Sequence, residues 1–175
     1  MRTATTLTAR TTASLAACAV AVTLAVAGCS DVRDQAGALT TQAQSAVESA
    51  KALADGFAAQ VDRARTDLAA ARTAIDDAKA QLGSLDATAR ATAQDAVDQA
   101  TAALDSAKTA LDTASADGAG PAADQLAAAQ SALDAARTKL DAAAASTDGG
   151  ARSAMDALAA QVEALRVEVE KATTP

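Results

Sequence analysis

The sequence contains no histidine, tryptophan or tyrosine, and Phe57 is its only aromatic residue. Histidine is the side chain that titrates closest to neutral pH, so the commonest acid–base catalyst is missing. Nucleotide-binding glycine patterns, the HExxH zinc motif and calcium-binding EF-hand loops are also absent. These absences predict a protein that is not an enzyme and has no cofactor or metal site.

Positive charge is scarce, and the net charge is −7. All 22 acidic residues follow Cys29, whereas Arg2 and Arg10 precede it, which leaves 13 basic residues and a net charge of −9 after Cys29. An acidic chain cannot neutralise many phosphates, so nucleic acid is excluded as a partner. Adhesion to anionic lipid through charge is disfavoured as well, so membrane attachment would need an anchor.

The amino-terminal residues differ from the rest of the chain. Residues 1–12 carry two arginines and no acid, and residues 13–27 form an uncharged apolar run of 15. That length is typical of the central region of a signal peptide and is short for a membrane span. An uncleaved membrane helix is the alternative, and the polar residues that follow Cys29 argue against it.

The end of this run, Val26-Ala27-Gly28-Cys29, resembles the lipobox of bacterial lipoproteins. The resemblance implies that residues 1–28 are a signal peptide, with Val26, Ala27 and Gly28 recognised by the signal peptidase. Cys29 would then be the first residue of the mature protein and carry an S-diacylglycerol, with acylation of the new amino terminus left open. The implied location is the extracytoplasmic side of the cell membrane, and the implied partner is membrane lipid.

A second stretch, Leu15-Ala16-Ala17-Cys18, also fits the lipobox pattern. Cleavage there would leave only seven weakly apolar residues after Arg10 and would keep residues 20–27 as an apolar tail on the mature chain. Cys29 is therefore the predicted anchor, and Cys18 belongs to the discarded peptide. One remaining cysteine excludes a disulfide within the mature chain and a thiol-based metal or redox site.

After Cys29, alanine alternates with leucine, valine or isoleucine at spacings of three and four residues, which is typical of amphipathic helices. The fold class is predicted to be all-α, with long alanine-rich helices folded back as an antiparallel helical bundle or coiled coil. Residues 29–175 would form one acidic helical region. Glycine-containing breaks delimit the predicted helices, which are 31–82, 86–116, 121–146 and 151–172.

The first predicted helix contains a shift in its heptad pattern. The apolar spacing becomes four plus four at Leu53, Phe57 and Val61, a stutter that locally unwinds a coiled coil. Asp55-Gly56 lies at this point, so a turn is the alternative to a continuous or kinked helix, which we favour.

Three segments repeat the same pattern and match position by position: residues 68–76, 104–112 and 133–141. In each, a leucine, an alanine three residues later and an isoleucine or leucine seven residues later form the predicted buried face. Acid–base pairs three residues apart are expected on the exposed face, namely Asp76–Lys79, Asp105–Lys108 and Asp134–Arg137. Ser84 or Asp86 is expected to cap the second helix, and Pro121 to be the first residue of the third.

These features predict a membrane-anchored envelope lipoprotein with a structural, spacer or protein-interaction role. The alanine and leucine heptads after a lipidated cysteine are similar to those of the major outer-membrane lipoprotein of Gram-negative bacteria. That family attaches to peptidoglycan through a carboxy-terminal lysine, whereas Lys171 stands four residues from the end here. The alternatives are an amphipathic surface-adsorbing or stress-protective protein and a small-ligand-binding helical module. Helical self-association or an envelope protein partner would suit the first interpretation.

Overall fold

The computed structural model describes residues 31–173, with side chains from Thr40 onward. Four α-helices are present, α1 (Asp31–Gln81), α2 (Ala87–Asp117), α3 (Ala119–Ala145) and α4 (Gly149–Thr173), and a 3-10 turn (Leu82–Ser84) follows α1. No residue in the described range lies in a strand, which confirms the all-α prediction. The residues from Ala43 onward form one compact unit, and the packing below concerns that unit.

Helix α1 runs through Gly56 without interruption, so the alternative of a turn at Asp55-Gly56 is wrong. A single glycine inside a helix costs about 1 kcal/mol relative to alanine. The residues on both sides of Gly56 include many good helix formers, and their helix propensity offsets this cost. Burial along α1 nevertheless changes near this point, because residues 43–56 are exposed whereas Val61 is the first buried side chain.

The core consists of alanines and larger apolar residues, most of which stand at the apolar positions of the heptad pattern. The repeated faces of α1, α2 and α3 are buried, as is the apolar face of α4. Of the 33 buried apolar residues, 18 are alanine, so neighbouring helices can approach closely while a few large side chains fill the space between them. The eleven largest fully buried side chains are Leu104, Leu111, Leu126, Leu133, Leu140, Met155, Leu158, Leu165, Val97, Val162 and Val169.

Helix α3 contacts both α2 and α4. Helix α1 is joined to α2 by ion pairs. Between α1 and α2, Arg65 pairs with Asp112 and Arg72 with Asp105. The residue numbers of these pairs rise along one helix while they fall along the other. The glycine-containing links are short, which favours this arrangement of consecutive helices.

The link between α1 and α2 is held by Asp86, which directly precedes α2, and by Arg90 of α2. The Asp86 carboxylate accepts hydrogen bonds from the backbone N–H groups of Thr88 and Ala89, at 2.9 and 3.0 Å, and so caps α2. The Arg90 guanidinium donates to the carbonyl oxygens of Leu82 and Leu85, at 3.0 and 2.7 Å. Carbonyl groups of the link itself are thereby satisfied.

The link between α2 and α3 is a single residue, Gly118, with φ 87° and ψ 175°. Its N–H donates to the carbonyl oxygen of Ala114 at 3.0 Å. Helix α3 begins at Ala119, so Pro121 is its third residue. The prediction that Pro121 is the first residue of this helix was therefore wrong by two positions. Proline fits there because the first four N–H groups of a helix have no intrahelical acceptor.

Candidate functional site

The predicted anchor, Cys29, and the recognition residues Val26, Ala27 and Gly28 lie outside the described residues, as does the whole predicted signal peptide. Helix α1 begins at Asp31, two residues after Cys29 in the sequence. The lipidation site therefore stays a prediction from the sequence Val26-Ala27-Gly28-Cys29 and from the apolar run that ends there.

Residues 43–56 of α1, which we call the arm, form an exposed helix. At a rise of 1.5 Å per residue its length is about 21 Å. Two large apolar side chains on it are open to solvent, Val47 with 68% and Leu53 with 65% of their surface exposed. These two side chains are six residues apart and therefore lie on different sides of the helix. The apolar stripe of the arm consists of Ala43, Ala46, Ala50 and Leu53.

A cavity of about 420 Å³ lies where the arm meets the bundle. Leu53 and Phe57 of α1, the glycine between α2 and α3, and Ala172 near the end of α4 line it. Its volume is within the range of small-molecule sites. Gln60 and Lys171 are its larger polar residues, and the Lys171 ammonium already pairs with Glu168 at 2.6 Å. The cavity therefore offers mainly apolar surface to whatever occupies it.

The densest group of charges joins α3 and α4. Arg166 donates two hydrogen bonds of 2.9 Å to the Glu163 carboxylate and one of 3.0 Å to Glu170. It also pairs with Asp134 at 3.2 Å, and Arg137 pairs with Glu163 at 2.8 Å. The hydrogen bonds from Arg166 hold the pKa of Glu163 down at about 2, and Glu163 in turn raises the pKa of Arg166. These charges connect two helices and satisfy one another, as expected of a structural network.

Replacing Glu163 with glutamine should reduce the loss of stability in acid. The folded-state pKa of Glu163 is lowered, so its contribution is complete above its ordinary pKa of 4.5 and is lost as the pH falls towards 2. The side chain is 30% exposed, so solvent screening limits this contribution to about 1 kcal/mol. Urea unfolding followed by circular dichroism between pH 6 and 2 would measure the effect. Arg166→Met should flatten the same part of the profile, and unchanged profiles in both variants would contradict the assignment.

The acid–base pairs expected three residues apart are not formed among the described residues, and two of the three acids bond to an arginine of a neighbouring helix instead. Asp105 bonds to Arg72 on α1, and Asp134 bonds to Arg166 on α4. Lys108 pairs with Asp112, and its hydrogen bond, followed by that of Arg65, lowers the pKa of Asp112. A neighbouring helix offers these acids a cationic partner that an isolated helix does not contain. The prediction from local spacing was wrong for this reason.

Most polar side chains in the described range are exposed or half-buried. Thr147, between α3 and α4, is the buried polar residue there, and its hydroxyl donates to the Ala143 carbonyl oxygen at 3.0 Å. No group of three or more histidine, cysteine, aspartate or glutamate side chains among residues 31–173 could hold a metal ion. Within the same residues, no helix combines the length and hydropathy that a membrane-spanning segment needs.

No protein-family model, no curated protein and no solved structure matches this chain.

Proposed function

We propose that this protein is a membrane-anchored lipoprotein of the bacterial cell envelope, held on the extracytoplasmic side by lipid on Cys29. The observation that carries the proposal is the sequence Val26-Ala27-Gly28-Cys29 at the end of a 15-residue apolar run. Two or three acyl chains on one cysteine give stable attachment, because each buried methylene contributes about 0.8 kcal/mol and one chain alone binds only marginally.

The helical part would serve as a spacer or a protein-interaction module. It is a bundle of α-helices with an alanine and leucine core, and the proposed antiparallel fold presents acidic and polar side chains to solvent. Its charge of −9 after Cys29 keeps it from adhering to anionic lipid, so the anchor would hold the bundle beside the membrane and not flat on it. The arm separates the bundle from the anchor in the sequence and adds about 21 Å of helix.

Replacing Cys29 with alanine should remove the lipid and release the protein from membranes. The chain is expressed in a bacterial host fed with labelled palmitate, and membrane and soluble fractions are compared. We expect the label to be lost completely and the protein to leave the membrane fraction, because Cys29 is the predicted acceptor of the diacylglycerol.

The matched control is Cys18→Ala, which removes the other cysteine and leaves the predicted lipobox intact. This variant should keep both the label and the membrane fraction of the parent chain. If Cys29→Ala retained the label while Cys18→Ala lost it, the anchor would be Cys18. A parent chain without label would rule out the lipoprotein assignment altogether.

A further inference from the structure

The arm differs from the following part of α1 because all of its side chains are exposed. Residues 43–56 are open to solvent, whereas Val61, Ala64 and Leu68 in the next turns are buried. Unwinding the arm therefore breaks backbone hydrogen bonds but takes no side chain out of the core. Helices shorter than about 12 to 15 residues are marginal in water without such packing, and the arm has 14 residues. The arm is thus a segment that can open while the bundle stays folded.

Gly56 weakens the helix further, at the end of the arm that adjoins the bundle. Glycine loses more conformational freedom in a helix than any other residue. The position does not require glycine for space, since a Cβ atom there would meet nothing within 4 Å. The arm therefore ends at a weak point of α1, and the first buried side chain after it is Val61.

Two exposed cations on α1 lie in these different surroundings. Lys51 is the single cation of the arm, and Arg63 is the next cation along the chain. Arg63 stands between Val61 and Ala64, which have 2% and 0% of their surface exposed. A protease acts on an opened, extended chain, so the helix must unwind around the bond that is cut. Unwinding at Arg63 exposes a buried valine, which changes the equilibrium by a factor of about ten or more.

We propose that the arm is a proteolytic release site, at which a protease specific for basic residues cuts between Lys51 and Ala52. The reaction is a hydrolysis, in which water adds to the carbonyl carbon of Lys51 and the C–N bond to Ala52 breaks. Lys51 then ends in a carboxylate, and the nitrogen of Ala52 takes a proton and becomes a free amino terminus. The protease supplies the catalytic groups, and the arm supplies an exposed lysine in a helix that opens locally.

The cut leaves the whole bundle in one product. Each of the 33 buried apolar residues that the structure describes lies at Val61 or later in the chain. The ion pairs of Arg65 and Arg72 with α2 stay in the same product. Residues 52–175 should therefore remain folded after cleavage. Release from a membrane rests on the proposed function, because the other product would carry the lipid on Cys29.

Limited digestion of the full chain with trypsin tests the proposal, because trypsin cuts after both lysine and arginine. The cell fraction that contains the chain is digested at low trypsin concentration, and mass spectrometry follows the cuts after Lys51 and Arg63. The cut after Lys51 should be at least about tenfold faster. Equal rates, or a faster cut after Arg63, overturn the proposal. Lys51→Gln should abolish the product that begins at Ala52, and the same product from this variant would contradict the assigned bond.

Three variants distinguish opening of the arm from unfolding of the whole bundle. Gly56→Ala should slow the cut after Lys51 about two- to fivefold, because alanine stabilises the arm as a helix. Gly120→Ala is the matched control in the first turn of α3 and should leave that rate unchanged. Leu133→Ala weakens the core and should also leave it unchanged, whereas cleavage through global unfolding would become at least about tenfold faster. Such an acceleration, or equal slowing by the two alanine variants, overturns local opening.

The fraction that contains each product reports the anchor separately. A membrane-bound chain whose product from Ala52 becomes soluble supports both proposals. A chain that is soluble before digestion and is still cut faster after Lys51 supports the cleavage site and contradicts the anchor. A product from Ala52 that stays on the membrane overturns release. Urea unfolding of this product should give the midpoint of the parent chain, and a lower midpoint would mean that the arm is part of the folded bundle.

Discussion

Leu133→Ala should lower the free energy of unfolding by about 2–5 kcal/mol, the usual range for a buried leucine reduced to alanine. Leu133 is fully buried on α3, the helix that contacts both α2 and α4. Most buried residues of the bundle are alanine, so each large side chain supplies a considerable part of the apolar contact. The truncation leaves a void that the surrounding helices can fill only in part.

Urea unfolding of the full chain, followed by circular dichroism, measures this loss as a lower midpoint. Leu53→Ala is a matched control, because it removes the same atoms from a leucine with 65% of its surface exposed. We expect it to change stability by less than about 0.5 kcal/mol, as is usual for surface substitutions. Equal losses in the two variants would mean that Leu133 does not pack in the core or that the arm is covered.

Gly118→Ala should destabilise the bundle by about 1–3 kcal/mol, the cost of a backbone region that is essentially restricted to glycine. Gly118 has φ 87° and ψ 175° and is the only residue between α2 and α3. A Cβ atom placed there would meet nothing within 4 Å. The cost would therefore come from the backbone conformation and not from a clash with a neighbour.

Gly120→Ala provides the comparison two residues further on. Gly120 lies in the first turn of α3, has no positive φ, and also has open space around the position of its Cβ. Alanine is the better helix former, so this variant should gain up to about 1 kcal/mol. The two substitutions should thus change the melting temperature in opposite directions. A shift of the same sign in both would contradict the conformation assigned to Gly118.

The repeated segments show how far local pattern predicts this fold. Leu104, Ala107 and Leu111 of the second repeat are buried, as are the equivalent residues of the first and third. This prediction succeeds because a helix repeats every 3.6 residues, so sequence spacing alone places these side chains on one face. The cap at Asp86 was also recognisable, since aspartate before a helix satisfies its first N–H groups.

Contacts between helices were not predictable in the same way. Arg90 bonds to carbonyl groups up to eight residues earlier in the chain, and its sequence context contains no signal for this role. Arg166 joins Asp134 across two helices, whereas local spacing assigned Asp134 to Arg137. Long side chains reach partners on neighbouring helices, so the pairing depends on register, which the spacing within one helix does not contain.

The sequence alone determines that the chain is helical after Asp31, which faces of its helices are apolar, and where a lipidated cysteine is expected. These properties depend on neighbouring residues only, through helical periodicity, turn chemistry and the lipobox pattern. The tertiary structure decided that α1 is covered from Val61 onward and exposed from residue 43 to 56, although both parts have the same apolar spacing. Whether the apolar face of α1 is buried depends on where the neighbouring helices end. The apolar spacing within α1 is the same in both parts and contains no information about the length of the other helices.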